Sequence, residues 1–530
     1  MSHDAIVVGS GPAGVAAAAA LLRRGRRVLM LDAGIRLEPE RQELVARMAQ
    51  VEPAAWTSEE LAAIRQGMEP KIDGIPLKRL FGSDFSFRNA EQFAEIVCHE
   101  SDPKMSLAFG GLSNVWGAGA IPFCAEDISD WPLGIADLAP FYRECLEELE
   151  LAAVADDLAT DYPLYTERNR ALQPSRQATA LLDDLGKHRA ALRREGISFG
   201  HSRLAVTAQG RTGARGCVYC GLCLYGCPYG FIYNSAERVR EMLSDSKFQY
   251  QANVVIDHLE ESNGHARLDG HDPGSGAKLQ FAAGQVFLAC GPIPTTALLL
   301  ESLGAWDTPV EMKDSQYFIF PALRFRSTPE VESERLHTLA QVFLEIRDPN
   351  LSTRGIHLSI YSYNDLLPTA LKIQTGLAGR MAPALPQALA RRLLVFGGYL
   401  HSRESPAIEV TLTRSPRGKR LQLRGLARPA SAKIVKKLMQ KLVRNSLRLK
   451  AIPLTPLVRP GLPGRGFHSG GTFPMATNPG KLQSDLFGRP HGFSRVHVVD
   501  ATVFPSIPAP NLTLSVMANA RRIAAAACEK

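Results

Sequence analysis

The run Ala5-Ile-Val-Val8, followed at once by Gly9-Ser10-Gly11-Pro12-Ala13-Gly14, constrains this chain more than any other segment. Four branched or small apolar residues in a row read as a buried parallel strand. The Ala-rich stretch Ala13–Arg24 reads as a helix that Gly25 ends, and Arg27–Leu31 as a second strand with Asp32 at its end. Gly9 permits the tight turn, Gly11 lets a pyrophosphate approach the backbone, and Gly14 lets helix and strand pack closely. Pro12 and Ala13 open the helix, whose N-terminus offers free N–H groups and a positive dipole end to phosphates. Asp32 can accept the ribose hydroxyls, and Ala33 follows it in the same turn. Strand, glycines, helix, strand and acid fall in register, which a lone glycine motif does not achieve. The motif serves FAD or NAD. Its place at the extreme N-terminus of a 530-residue chain favours FAD.

That length exceeds one simple core and predicts about two to four structural units, or two domains with insertions. Hydrophobic residues at 45% and charged residues at 22% exclude general disorder. No stretch of 18 apolar residues suggests a membrane-spanning helix. Met1–Asp4 runs into the first strand without a basic region or a cleavage site, so the expected location is the cytoplasm. The net charge of +8 is unevenly spread. Between Val410 and Ser484 there is no Asp or Glu but there are 16 Lys or Arg residues, while the remaining 45 basic residues face 53 acidic ones. Such a one-sided field attracts phosphates, acidic lipids, an acidic protein or an acidic substrate, and otherwise serves as a solvated face. Nothing in it points to nucleic acid.

Near the C-terminus, His468-Ser-Gly-Gly-Thr-Phe-Pro-Met475 precedes Val496–Val499 and Asp500-Ala501-Thr502. Pro508-Ala-Pro-Asn511 follows, and Leu512 and Thr513 lead into a small-residue helix over Ser515–Ala527. Apolar strand, acid, turn and helix make a second unit able to contact a dinucleotide. Upstream lie Gly110-Gly111-Leu112-Ser113-Asn114-Val115-Trp116-Gly117, and a returning strand and helix at Val286–Ala289, Gly291 and Thr295–Leu300.

Together these residues resemble the glucose–methanol–choline (GMC) oxidoreductases. That family ends in a histidine followed by Gly-Thr and Met, then Val-Asp-Ala/Gly-Ser/Thr, then His or Asn before a terminal helix. His468, Gly471-Thr472, Met475, Val499-Asp500-Ala501-Thr502 and Asn511 match as they stand. Gly110–Gly117 is similar to the family's flavin-contacting segment, and Asp130-Trp131-Pro132 to its sugar-oxidising branch. The resemblance covers about half the chain; the region from about Glu311 to Pro463 matches only in layout. It implies hydride transfer from an alcohol carbon to flavin N5, with His468 as base and Asn511 bonding the alcohol oxygen. The implied flavin contacts are Gly9, Gly11, Pro12, Ala13, Gly14, Asp32 and Ala33. Gly110, Gly111, Ser113, Asn114, Trp116, Val255, Ala289 and Gly291 join them, as do Asp500, Ala501, Asn511, Leu512 and Thr513. Some relatives tether FAD through a histidine in the Gly-Gly-x-Ser segment. None stands there, so FAD is expected to be non-covalent.

Cys217, Cys220, Cys223 and Cys227, followed by Pro228, have the bacterial ferredoxin spacing C-x2-C-x2-C-x3-C-P. A [4Fe–4S] or a three-ligand [3Fe–4S] cluster is one reading. Zinc is a second, and no metal a third, because many relatives carry a Gly-Cys-Pro-x-Gly loop here without a cluster. A cluster would imply a dehydrogenase passing electrons to an acceptor protein or a quinone.

Ala407–Thr413 and Arg420–Arg424 alternate as a hairpin around Ser415–Gly418, and Ser431–Leu449 has the spacing of an amphipathic helix. Leu366–Leu400 is leucine-rich and contains no Asp or Glu. It reads as core, as a lid over the substrate, or as a peripheral membrane contact. The expected fold is α/β, with a Rossmann-like FAD domain from residues 1–129, 216–304 and 464–530. A substrate domain on a mainly antiparallel sheet takes 130–215 and 305–463. The expected function is FAD-dependent oxidation of an alcohol, a sugar or polyol hydroxyl by the Trp131 resemblance. Three alternatives stand beside it: an oxygen-using oxidase, a flavin-dependent C=C reductase, and a non-catalytic redox sensor or structural subunit. Export with a signal-bearing partner is a further alternative to the cytoplasm.

Overall fold

The computed structural model describes residues 3–68, 77–209, 215–262, 264–381, 384–416 and 418–529. The side chains of 374–383, Arg380 among them, lie outside the described residues, as does Arg417 in the turn of the expected hairpin.

Ala5–Val8 is the centre of a five-stranded parallel sheet. Its neighbours are Val28–Leu31 on one side and Gln285–Leu288 on the other, with Phe248–Gln251 and Val496–Val498 outermost. All four residues of the central strand are buried, as a strand covered on both faces requires. The helix Pro12–Arg23 packs on this sheet and against the last helix, Thr513–Cys528. Alanines make that contact possible, because Ala16–Ala20 are buried and small enough for close helix approach. The first and last parts of the chain thus share one α/β layer, as expected for a Rossmann-like unit.

The second large element is an antiparallel sheet whose path runs Ala451–Pro453, Tyr317–Arg324, Leu393–Leu400, Ile356–Tyr361, Val342–Ile346 and Ile197–His201. One face is closed by helices Arg176–Lys187 and Pro429–Arg444, which contribute Leu181, Leu185, Ile434, Leu438 and Leu442 to a shared core. The other face looks toward the first domain. A further sheet joins Val310–Asp314, Ala407–Ser415, Gly418–Leu426 and Glu95–His99. The hairpin in it pairs Ala407 with Leu426 through Ser415 with Gly418, longer than its alternation suggested. The helix expected over Ser431–Leu449 is two helices, Pro429–Arg444 and Ser446–Leu449, divided at Asn445. Leu366–Leu400 divides into helices Leu366–Met381 and Leu385–Ala390 and the sheet strand Leu393–Leu400. No helix among the described residues is long and apolar enough to cross a membrane.

Candidate functional site

A cavity of about 360 Å³ lies between the parallel sheet and the antiparallel sheet. At one end its wall is the turn after the first strand. Gly9, Gly11, Pro12 and Ala13 line it, together with Asp32 and Ala33 from the end of the second strand. Gly9 has φ +105, and a Cβ there would stand 2.5 Å from the Ala289 carbonyl oxygen. Gly14 does not line the cavity; a Cβ on it would lie 1.9 Å from the Gly9 carbonyl oxygen, so its task is to let the helix close on the turn. Asp32 accepts from Ser10 Oγ at 2.5 Å and from Tyr250 Oη at 3.1 Å, and Ser10 Oγ in turn accepts from the Gly110 N–H at 2.8 Å. Burial pushes the Asp32 carboxyl up to about 6, while these hydrogen bonds pull it down.

Gly111, Ser113 and Trp116 line the side wall, and Gly110 and Asn114 stand behind it. Asn114 braces the loop by donating to the Phe109 and Gly111 carbonyls at 3.0 and 2.8 Å. Ser113 Oγ donates to the Gly110 carbonyl and accepts from the Ser235 N–H. Val255, Ala289, Gly291, Asp500, Ala501, Leu512 and Thr513 also line the cavity. Asp500 ties two of these segments together: Oδ2 accepts from the Gly291 N–H at 2.9 Å and from Thr295 Oγ1 at 2.6 Å, and Oδ1 from the Thr502 N–H.

At the other end stand His468 and Asn511. The His468 ring stacks on Tyr399 with centroids 4.3 Å apart, and its carbonyl accepts from the Ser315 N–H. Burial pushes its imidazole down to about 3, and the charge of His357 acts in the same direction. The ring is therefore neutral at working pH. His468 Nδ1 and Asn511 Oδ1 are buried without a partner within the protein. Two such atoms facing one cavity mark a place for a ligand. Asn511 is held tightly: a Cβ on Gly119 would come within 2.2 Å of its Oδ1.

Sequence reasoning missed the far wall. Glu345 and His357 face each other across adjacent strands, and His357 Nδ1 lies 2.6 Å from Glu345 Oε1. His357 Nε2 lies 2.9 Å from the Ser359 hydroxyl, which lines the cavity beside Phe343, Tyr361 and Tyr399. Tyr162 donates to the second Glu345 oxygen. All three members of this Glu–His–Ser chain are buried. The His357 ring thus bridges Glu345 through Nδ1 and Ser359 through Nε2. A glutamate inside the apolar run Val342-Phe-Leu-Glu-Ile346 was the one signal available.

The residues fit FAD. The glycine turn would hold the phosphates and Asp32 the ribose, with the unsatisfied atoms of His468 and Asn511 at the other end of the cavity. The cysteines are a separate matter. Cys217, Cys220, Cys223 and Cys227 line a second cavity of about 20 Å³ with His337 and Leu339. Burial pushes the Cys217 and Cys220 thiols up to about 12. Among the described residues no three His, Cys, Asp or Glu side chains form a group set to hold a metal ion.

Residues 407–520 match the family model described as GMC oxidoreductase, its C-terminal part, and residues 7–37 match that of an NAD(P)-binding Rossmann-like domain. No curated protein matches the chain. Among solved structures, pyridoxine 4-oxidase from Mesorbium loti is similar in fold, with a TM-score of 0.57 at 16% identity over 99% of this chain and 98% of that one.

Proposed function

From a chain whose residues 407–520 match the GMC oxidoreductase model and whose residues 7–37 match a Rossmann-like one, we propose an enzyme that oxidises an alcohol with non-covalently bound FAD. The observation that carries this reading is the pair of unpartnered polar atoms, His468 Nδ1 and Asn511 Oδ1, on the cavity that the glycine turn also lines. Bound flavin supplies the hydride acceptor. The neutral His468 imidazole takes the hydroxyl proton as the C–H bond gives up its hydride. Tyr399 stacked on that ring and the Ser315 bond to its carbonyl fix the ring's direction. Asn511 orients the alcohol oxygen, and Gly119 leaves its amide no room to swing aside.

The aromatic wall of Phe343, Tyr361 and Tyr399 with the Ser359 hydroxyl suits a ring-bearing or polyhydroxylic alcohol better than a simple aliphatic chain. A sugar or polyol rests on the Asp130-Trp131-Pro132 resemblance. A pyridine methanol is the counterpart suggested by the pyridoxine oxidase of similar fold. For the electron acceptor, oxygen is one reading. A cluster on Cys217, Cys220, Cys223 and Cys227 serving a protein or quinone is the other. Support for the cluster is the ferredoxin spacing and the shared small cavity, and no step is routed through it.

The deciding experiment mixes anaerobically purified protein with glucose, sorbitol, benzyl alcohol and pyridoxine while following flavin absorbance. Bleaching by one of them, abolished in His468→Ala, is the expected result. Bleaching that survives in His468→Ala overturns the assignment of the base. No bleaching by any alcohol, with reoxidation of reduced flavin by an α,β-unsaturated ketone, moves the reading to C=C reduction. Admitting air then separates oxidase from dehydrogenase by hydrogen peroxide.

A further inference from the structure

The segment from Val443 to Phe467 turns an apolar and basic side outward. Val443, Leu447, Ile452, Leu457, Leu462 and Phe467 are exposed, Leu447 at 72% and Leu462 at 55%. Phe325 is exposed beside them, its N–H bonded to the Lys450 carbonyl. Seven of the ten exposed large hydrophobics among the described residues therefore sit in this one place. Scattered exposed apolar side chains need no explanation, but a contiguous set does.

Contiguity follows from the strand pairing. Ala451–Pro453 pairs with the C-terminal part of Tyr317–Arg324, and Arg459–Pro460 with its N-terminal part. The Gly461 N–H bonds to the Tyr317 carbonyl. Residues 450–461 thus run along one edge of the antiparallel sheet. The chain continues through Gly464 and Gly466 into the cavity wall, where Phe467 is both exposed and cavity-lining. The edge ends at the cavity mouth.

Its charge is of one sign. Lys433, Lys436, Arg444 and Arg459 are exposed on or beside it and, with Lys450, make no ion pair among the described residues. Nearby, Glu195 and Asp348 are engaged by Lys441, with Arg448 also near Glu195, and Asp102 by Arg465. Pro453, Pro456 and Pro460 remove three backbone donors from the edge, which blocks strand addition by a second chain. Exposed apolar side chains between unpaired cations on an edge that cannot extend match the boundary between lipid headgroups and acyl chains.

We propose that this edge docks on an anionic phospholipid surface, with the cavity mouth at Phe467 turned toward the lipid. The inference is independent of the reaction carried out in the cavity. The test is co-sedimentation of the full-length flavin-loaded protein with phosphatidylcholine vesicles, with and without phosphatidylglycerol. Expected is binding to the phosphatidylglycerol vesicles alone, weakened by salt. The combined Leu447→Asp, Leu457→Asp and Leu462→Asp variant is expected to lose about tenfold or more in affinity, with thermal unfolding and flavin content unchanged. Leu462→Trp is expected to be quenched by brominated acyl chains, which a purely electrostatic contact does not produce. A wild-type chain that stays in the supernatant with both vesicles overturns the proposal. So does vesicle binding that the triple variant retains, or a homodimer in solution that the triple variant dissolves.

Discussion

At the nucleotide end of the cavity the wall is backbone, while at the reacting end it is side chains. Gly9, Gly11 and the first turn of the helix Pro12–Arg23 come from one short stretch, whose shape depends on Gly9 and Gly14, where a Cβ would strike backbone. His468, Asn511, Tyr399 and Ser359 come from four distant segments that meet only in the folded protein. The first end recognises what dinucleotides have in common. On the proposed function, the second could be rebuilt residue by residue without disturbing the first, which would make substrate choice and cofactor holding separable.

The largest effect expected from breaking this contrast is at His468. His468→Ala should lower kcat by about 10²–10⁴, the usual contribution of a positioned base, with the flavin spectrum intact. Steady-state turnover with absorbance of the bound flavin checks it. Next is His357→Ala, which leaves the buried Glu345 carboxylate without its imidazole. Removing one partner of a buried pair costs about 3–5 kcal/mol, to be read by urea unfolding. Ser359→Ala should cost only about 1 kcal/mol of stability yet raise KM. A KM unchanged in Ser359→Ala would mean that the serine does not touch substrate.

The nucleotide end is tested by Gly14→Ala. Its new Cβ meets the Gly9 carbonyl, and such overpacking costs about 1–3 kcal/mol. That corresponds to roughly tenfold to a hundredfold in nucleotide affinity, measured as flavin retained on dialysis, with kcat per bound flavin unchanged. The last effect concerns pH. Burial pushes His401 down to about 4, below the 6.5 of an unfolded imidazole. Its contribution to stability is therefore present above pH 6.5 and is lost as pH falls toward about 4, because the unfolded chain binds the proton first. Between pH 7 and pH 5, His401→Gln should lose about 2 kcal/mol less than the wild type in paired unfolding curves.

The same contrast explains what was legible in the sequence. The strand, turn and helix from Ala5 to Arg23 are local, so spacing alone exposes them, and the hairpin Ala407–Leu426 shows through its alternation. His468, Asp500 and Asn511 could be picked out because they sit in compact motifs. Glu345, His357 and Ser359 could not, because their meaning lies in a cross-strand register rather than in sequence neighbours. The thiol run shows the opposite risk. Its spacing is suggestive, yet spacing does not say how four sulfurs are aimed. The break at Asn445 was hidden as well, since the apolar spacing continues through it.

The sheet at the heart of the nucleotide end takes its outer strand, Val496–Val498, from almost the end of the chain, and Arg26 bonds to the Cys528 carbonyl across 502 residues. During synthesis, the phosphate turn therefore leaves the ribosome long before the strand and helix that complete its sheet. Cofactor capture belongs after translation, and a chain truncated at its C-terminus exposes the sheet edge beside Gln285–Leu288.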